Sequence, residues 1–450
     1  MDVFLYLAII KKADFLFSFM NRFSHIIFNM VLALSCIFAN AQDSALLKSL
    51  VEKSILTPEE ALQIKKESVV VSATENTSAK ILSFSSRLQT QYFMISADDG
   101  STSDTISALQ LRRVYLGTDA TFSDTLKANI TLDLLSATSS THKLVKLYVE
   151  KKFDVDFAYG NVKAGFLADN FSYEALSTSK SLLTIERSIA SRYFAGSYSN
   201  YGKYGYSGYG SIEFGGESMG VYLHATPRSA EKLDIGFAIT SPQTYTITPP
   251  DDGRNAPAFW LNAKYRDSFN FADDIVKLEF GAYTGFKPQG SVEMSRKEDV
   301  GTMYGVNPFF KITSTRLTMW SDFLFVNMQY GKANMQYANI MGTNLATEYR
   351  FDIGDFGKLA PAFRFAYLDT DGRGCRISDC SRRGPNLYSD FTQYYNNALS
   401  LYFGLNWYIN GDNLKFQVGY ERYKFWGEVN NNNARNTDAN SVRAMVQFIF

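Results

Sequence analysis

Two arginines stand side by side, Arg112 and Arg113, inside the stretch LQLRRVYLGTDATF, whose other residues alternate between apolar and polar. Neighbouring alternating stretches carry Arg87, Lys127, Asp133, Lys146, Tyr148, Glu150 and Lys163 on their polar side. The segment 169–216 adds Lys180, Glu186, Arg187 and Arg192, with Ser177, Thr178, Ser179 and Ser181 as hydroxyl donors. Guanidinium forks and hydroxyls suit oxyanions. Charges spread along a wall as many weak sites suit permeation. For each of these residues the competing reading is an ion pair within a water-filled interior. Asp133 and Glu150 could oppose the arginines and divide a constriction into a basic and an acidic side. Covalent catalysis is poorly served. The only histidines are His25, His142 and His224, and neither of the last two has an obvious nucleophile beside it. The sequence offers no metal centre and no cofactor motif.

The elements that would hold these side chains repeat with period two from about residue 80 to the end. Leu126, Ala128, Ile130 and Leu132 alternate with Lys127, Asn129, Thr131 and Asp133; Leu399, Leu401, Phe403, Leu405 and Trp407 alternate with Ser400, Tyr402, Gly404 and Asn406. A soluble sandwich shows this pattern with the apolar face inward; a transmembrane barrel turns it outward. Connection lengths separate the two. Sixteen strand-like segments centre near residues 88, 113, 131, 149, 165, 221, 237, 261, 280, 309, 321, 349, 363, 402, 419 and 445. Short links (FSDT, TPRSAEK, TST, GDFGK, NGDN) alternate with long ones (96–105, 169–216, 329–342, 369–394, 427–439). That rhythm and an even count predict an all-β fold, a closed antiparallel transmembrane barrel of sixteen strands of about ten residues. Within it the Arg112–Arg113 pair poses a problem, because strict alternation sends one of the two into lipid. Either a β-bulge turns both inward, or one snorkels to the membrane edge.

Equal numbers of acidic and basic residues, 45 each, leave no net charge to recruit nucleic acid. The chain is rich in Tyr (28) and Phe (36). Residues 26–39 form an apolar run too short to span a bilayer as a helix, and Ala39-Asn40-Ala41 supplies a cleavage site. Residues 1–41 therefore read as a signal peptide, with 1–19 as an over-extended start. Residues 42–78 read as a helical segment and linker in the periplasm, and 79–450 as the barrel in a Gram-negative outer membrane, with lipid as its surroundings. Cys375 and Cys380, close together in an exported chain, read as a local disulfide. The aromatic, Gly-rich run Tyr198–Tyr209 fits either a sugar-stacking surface or packing. Val442, Ala444, Val446, Phe448 and Phe450 alternate to a terminal aromatic, the kind of ending that barrel-assembly machinery reads.

LQLRRVYLGTDATFSDTLKANITLDL resembles the "F-x-L-R-R-A-R-L-G" segment of the phosphate-selective porin O and P family. KLYVEKKF and VKAGFLADNFSYEALSTSKSLLTIERSIASRYF resemble the strand, turn, strand and inward-folding loop with an "E-R-S" signature. ALLKSLVEKSILTPEEALQIKKE is similar to the N-terminal helical segment of Bacteroidetes-type members. The resemblance implies a homotrimeric pore for small hydrophilic solutes or anions such as phosphate, without enzymatic activity. It also implies that the third external loop makes the constriction and that Arg112 and Arg113 are the family's paired arginines. One departure is visible: the family's "K-x-P-F" is Ala168-Asp169-Asn170-Phe171 here, without the lysine and proline. The main alternative is a barrel with a plugged lumen in a structural or adhesive role.

Overall fold

Strands that bury one face against water and protein and the other against lipid need β-branched and aromatic residues outside and polar ones inside. The computed structural model describes residues 70–72, 80–98, 103–135, 144–168, 170–195, 212–241, 256–271, 274–288, 293–294, 298–330, 336–377, 394–429 and 436–450. The signal segment, most of the N-terminal segment, the Tyr198–Tyr209 run, His142 and Cys380 lie outside these residues.

Within the unit Ser72–Phe450, sixteen strands close into an antiparallel barrel. They are β1 (Ile81–Asp98), β2 (Ser103–Ser123), β3 (Leu126–Asp133), β4 (Leu144–Val155), β5 (Ala158–Leu167), β6 (Ser218–Pro227), β7 (Leu233–Thr240) and β8 (Ala258–Phe271). The second half comprises β9 (Asp274–Lys287), β10 (Glu298–Thr313), β11 (Leu317–Tyr330), β12 (Gln336–Tyr349), β13 (Lys358–Asp369), β14 (Tyr395–Asn410), β15 (Leu414–Glu428) and β16 (Thr437–Ile449). Strand β16 pairs back on β1, with Asp438 against Asp98 and Ile449 against Arg87, so the sheet has no open edge. Each of the sixteen expected segments is a strand.

Outside β3–β7 the strands outrun their expected length. β2 has 21 residues, and β11 and β12 stay paired out to Tyr330 and Gln336, which shortens a connection expected to be long. Ladder hydrogen bonds formed beyond the bilayer satisfy backbone groups as well as water does, so nothing forces a strand to end at the membrane surface. The outer face is apolar: Leu109 and Leu111 are 61% and 52% exposed, while Gln89, Gln91, Asn307, Asn344, Arg364 and Gln447 are buried inside. Phe157, Phe271, Phe356 and Phe450 stand exposed at the short-turn end, where an aromatic belt meets the headgroups.

The arginine problem resolves as a bulge. On β2, Leu111 pairs with Thr90 and Arg113 pairs with Gln89, so Arg112 is an extra residue opposite no partner. Leu109 and Leu111 face lipid before it, and Leu116 faces lipid after it. The added residue shifts the side-chain phase by one and leaves both Arg112 and Arg113 on the inner face.

Candidate functional site

The described residues of the connection between β5 and β6 (170–195 and 212–217) fold into the barrel. The neck of this loop is clasped by Asn170, whose amide donates to the Gly216 carbonyl (3.0 Å) and accepts from the Gly216 N–H (3.2 Å). Two short helices follow, α1 (Tyr173–Leu176) and α2 (Ile189–Ala195). Ser172 caps α1 by accepting from the Ala175 N–H (3.3 Å). Glu174 joins the helices, because its carboxylate accepts from the Ser188 N–H (2.9 Å) and hydroxyl (2.6 Å). Ser188 in turn accepts from the Ser191 N–H (3.0 Å) at the start of α2.

This loop leans on one side of the lumen. Its polar backbone groups are met by wall side chains from many strands. Asn406 donates to the Leu183 carbonyl (2.8 Å), Lys415 and Gln447 to the Lys180 carbonyl (2.9 and 3.1 Å), and Lys287 to the Glu213 carbonyl (2.7 Å). Asn307 accepts from the Tyr173 N–H (2.8 Å). Aromatic packing seals the outer part: Phe171 meets Phe214 edge-on at 4.7 Å, Phe214 meets Trp260 at 5.2 Å, and Tyr173 stacks on Phe309 at 4.4 Å. Glycines on the inner face of the wall make room for it. A Cβ on Gly305 would come within 2.7 Å of the Phe214 ring, and one on Gly342 within 2.9 Å of Ala190.

Two carboxylates of the loop, Glu186 and Glu174, are met by arginines of the wall. Arg112 holds Glu186 with both fork nitrogens, Nε at 2.5 Å and Nη2 at 3.0 Å. Arg113 lies 3.6 Å from the same carboxylate and donates to Gln89 (2.6 Å). Arg364 is the second anchor. It donates to the Glu186 carbonyl (2.5 Å), the Thr184 hydroxyl (2.8 Å) and Glu421 (2.6 Å), and lies 3.7 Å from Glu174. Glu186 is thus tied to β2 through its side chain and to β13 through its backbone, so the chain crosses the lumen between them. Arg112, Arg113 and Arg364 are 6%, 3% and 1% exposed. At the paired arginines, the Glu186 carboxylate takes both fork nitrogens of Arg112 and lies beside Arg113.

The remaining expected site residues separate into two groups. Arg87 donates to Ser179 and Thr178 at the loop tip (2.5 and 3.3 Å). Arg187 donates to the carbonyls of Glu174 (3.2 Å) and Ser177 (2.6 Å), and Arg192 is buried in α2. Lys127, Asp133, Lys146, Tyr148, Glu150 and Lys163 all face inward from β3–β5 and keep contact with solvent, while Ile130, Leu147 and Val149 point to lipid. Among the described residues of β3–β5, inward acids and bases are interleaved. Glu150 pairs in register with Lys127 on one side and Lys163 on the other, so the acid sits among the lysines. Arg364, Glu174, Glu421 and the glycine sockets were not picked out from the sequence. Arg364 shows its inward parity in PAFRFAYLD, but parity does not reveal which part of a wall a loop will cover.

The family model described as phosphate-selective porin O and P matches residues 84–234. No curated protein matches the chain. Among solved structures, the chain is similar to OprB of Pseudomonas putida (11% identity, TM-score 0.49), covering 82% of this chain and 94% of that one. It is also similar to the outer membrane channel DcaP of Acinetobacter baumannii (12%, 0.48), covering 84% and 100%. An anion-selective porin from Comamonas acidovorans is similar as well (11%, 0.47), covering 82% and 99%. The family match covers most of β1, the bulged arginine pair and the described residues of the connection between β5 and β6.

Proposed function

We propose that the chain is a passive diffusion channel in which small hydrophilic solutes pass between the infolded loop and the wall of β3–β5, with a modest preference for anions. One observation carries this reading: the loop is anchored to β1, β2 and β9–β16, while the inward side chains of β3 and β4 keep contact with solvent. On that wall Lys127, Lys146, Lys152 and Lys163 stand with Asp133, Glu150 and Asp154, and Asp154 is paired with Arg228. A surplus of exposed lysines favours anions without trapping them, as permeation requires. Arg112 and Arg113 act in this reading as loop anchors, and Arg187 and Lys180 line the opposite side of the passage. The reading includes a homotrimer. Strands β3–β7 have only 8 to 12 residues and make a low wall with apolar residues such as Leu147, Val149 and Val221 outside, suited to burial against a second copy. It also puts residues 42–78 in the periplasm, because β1 begins at the short-turn end, and assigns no enzymatic role. The test is conductance in planar bilayers under a KCl gradient, with Lys127→Gln and Lys163→Gln as variants. Conductance steps and a reversal potential of anionic sign that shrinks in the variants support the reading. A barrel that inserts without conducting would mean that the loop plugs the lumen.

A further inference from the structure

We propose that the short-turn mouth of the barrel carries a binding site for a small dicarboxylate, on the inner face of β8–β10. The site lies apart from the loop anchors and does not depend on whether the lumen conducts. β8 ends and β9 begins at the short-turn end, and the register of β8, β9 and β10 sets two rows across the wall there. Arg266, Glu279 and Lys311 form one row; Ser268, Lys277 and Thr313, nearer the turn, form the next. Phe269, Phe280 and Phe310 point to lipid on the same three strands, so by alternation these six side chains face inward. They line a cavity of about 490 Å³. The stack of Tyr283 on Phe309 (5.4 Å), which carries Tyr173 of the loop, lies further along the same strands.

The charges of this cavity leave two cations over. Arg266 donates from Nε to Glu279 (3.1 Å) and lies 3.8 Å from Asp234, and Lys232 holds Asp267 (2.7 Å). Glu279 is in register with Lys311 but turns to Arg266 instead. Among the described residues, no acceptor meets Lys277 or Lys311. Lys277 is exposed and Lys311 half-buried. Beside Lys277, the Thr313 hydroxyl is buried without a partner, and a turn about its χ1 would bring it to a ligand oxygen. The two lysines are diagonal neighbours on adjacent strands, about 7–8 Å apart at the backbone. Each is a point charge on a flexible stem, so together they do not form a fork for one compact oxyanion. A ligand with a carboxylate at each end meets one lysine with each, and its double charge matches the surplus. A monocarboxylate engages one lysine and leaves the other uncompensated.

The experiment is isothermal titration of the full chain, folded in a neutral detergent, with succinate, acetate and inorganic phosphate at one low ionic strength. Succinate should bind with a dissociation constant about tenfold below those of acetate and phosphate, the size of one further charge-assisted hydrogen bond. Lys277→Gln and Lys311→Gln should each bring succinate to the level of acetate. Lys424→Gln, on the outer face of β15, should change nothing. Absence of succinate binding, phosphate binding as tight as succinate, or an unchanged succinate advantage in either glutamine variant at the wall would overturn the inference. If one of these variants fails to fold, the other, on a separate strand, still decides. Titration reads binding and not current, so each of these results leaves the pore reading standing, and a barrel that fails to conduct leaves this site standing.

Discussion

Glu186→Gln tests the loop anchor with the least steric change. Gln keeps the size of Glu and can still accept one hydrogen bond from Arg112, but the charge that Arg112 and Arg113 share is gone. Both arginines are nearly sealed from water, at 6% and 3% exposure. Removing one partner from a buried pair costs about 3–5 kcal/mol, because the other charge is left uncompensated. With one hydrogen bond retained, the lower end applies, roughly 3 kcal/mol, or about a hundredfold in the equilibrium for opening the loop locally. The barrel should survive, since the Asn170–Gly216 clasp, the aromatic packing and Arg364 are untouched. Loss of one negative charge beside the passage should move the reversal potential toward anions in dilute KCl, and channel noise should rise as the loop opens. The selectivity shift should fade near 1 M salt, where the screening length drops from about 10 Å to about 3 Å. Combining Glu186→Gln with Arg112→Gln removes both charges and should recover part of the loss. If Glu186→Gln inserts normally and matches the wild type in conductance, noise and low-salt reversal potential, the pair does not position the loop.

Arg364→Met should loosen the loop more than Arg112→Met, because it strands Glu421 and Glu174 together and frees the Glu186 carbonyl; protease cleavage within residues 170–195 of the folded, inserted barrel reads this directly. Gly342→Leu should push α2 off the wall at about 1–3 kcal/mol of overpacking, giving a lower temperature for loss of the compact band on gels and an altered conductance. Unchanged values for both would refute the socket. Cys375 is buried, its thiol 3.3 Å from the Tyr395 carbonyl, and Cys380 lies beyond the described residues; a disulfide between them should protect both from alkylation until a reductant is added, and alkylation without reductant would refute it.

The sequence by itself determined the architecture. Period-two alternation with an apolar outer face, and the rhythm of short and long connections, leave a closed barrel as the solution that satisfies every backbone group in lipid. Each of the sixteen segments follows from that local rule, and so does the demand that two adjacent arginines be reconciled with it. Alternation alone left bulge and snorkelling both open; the register of Gln89 with Arg113 and Thr90 with Leu111 decided for the bulge. Only the tertiary structure decided what the inward charges do. Parity places Arg112, Lys163 and Arg364 alike on the inner face, but the described part of the loop seals Arg112 and Arg364 while Lys163 stays partly exposed. Which residue lies under it depends on contacts between positions as distant as Glu186 and Arg364, and no local pattern encodes them. The paired arginines are therefore legible as inward-facing and not as partners of Glu186. The glycines of β10 and β12 likewise show their purpose only when Phe214 and Ala190 fill the sockets they leave.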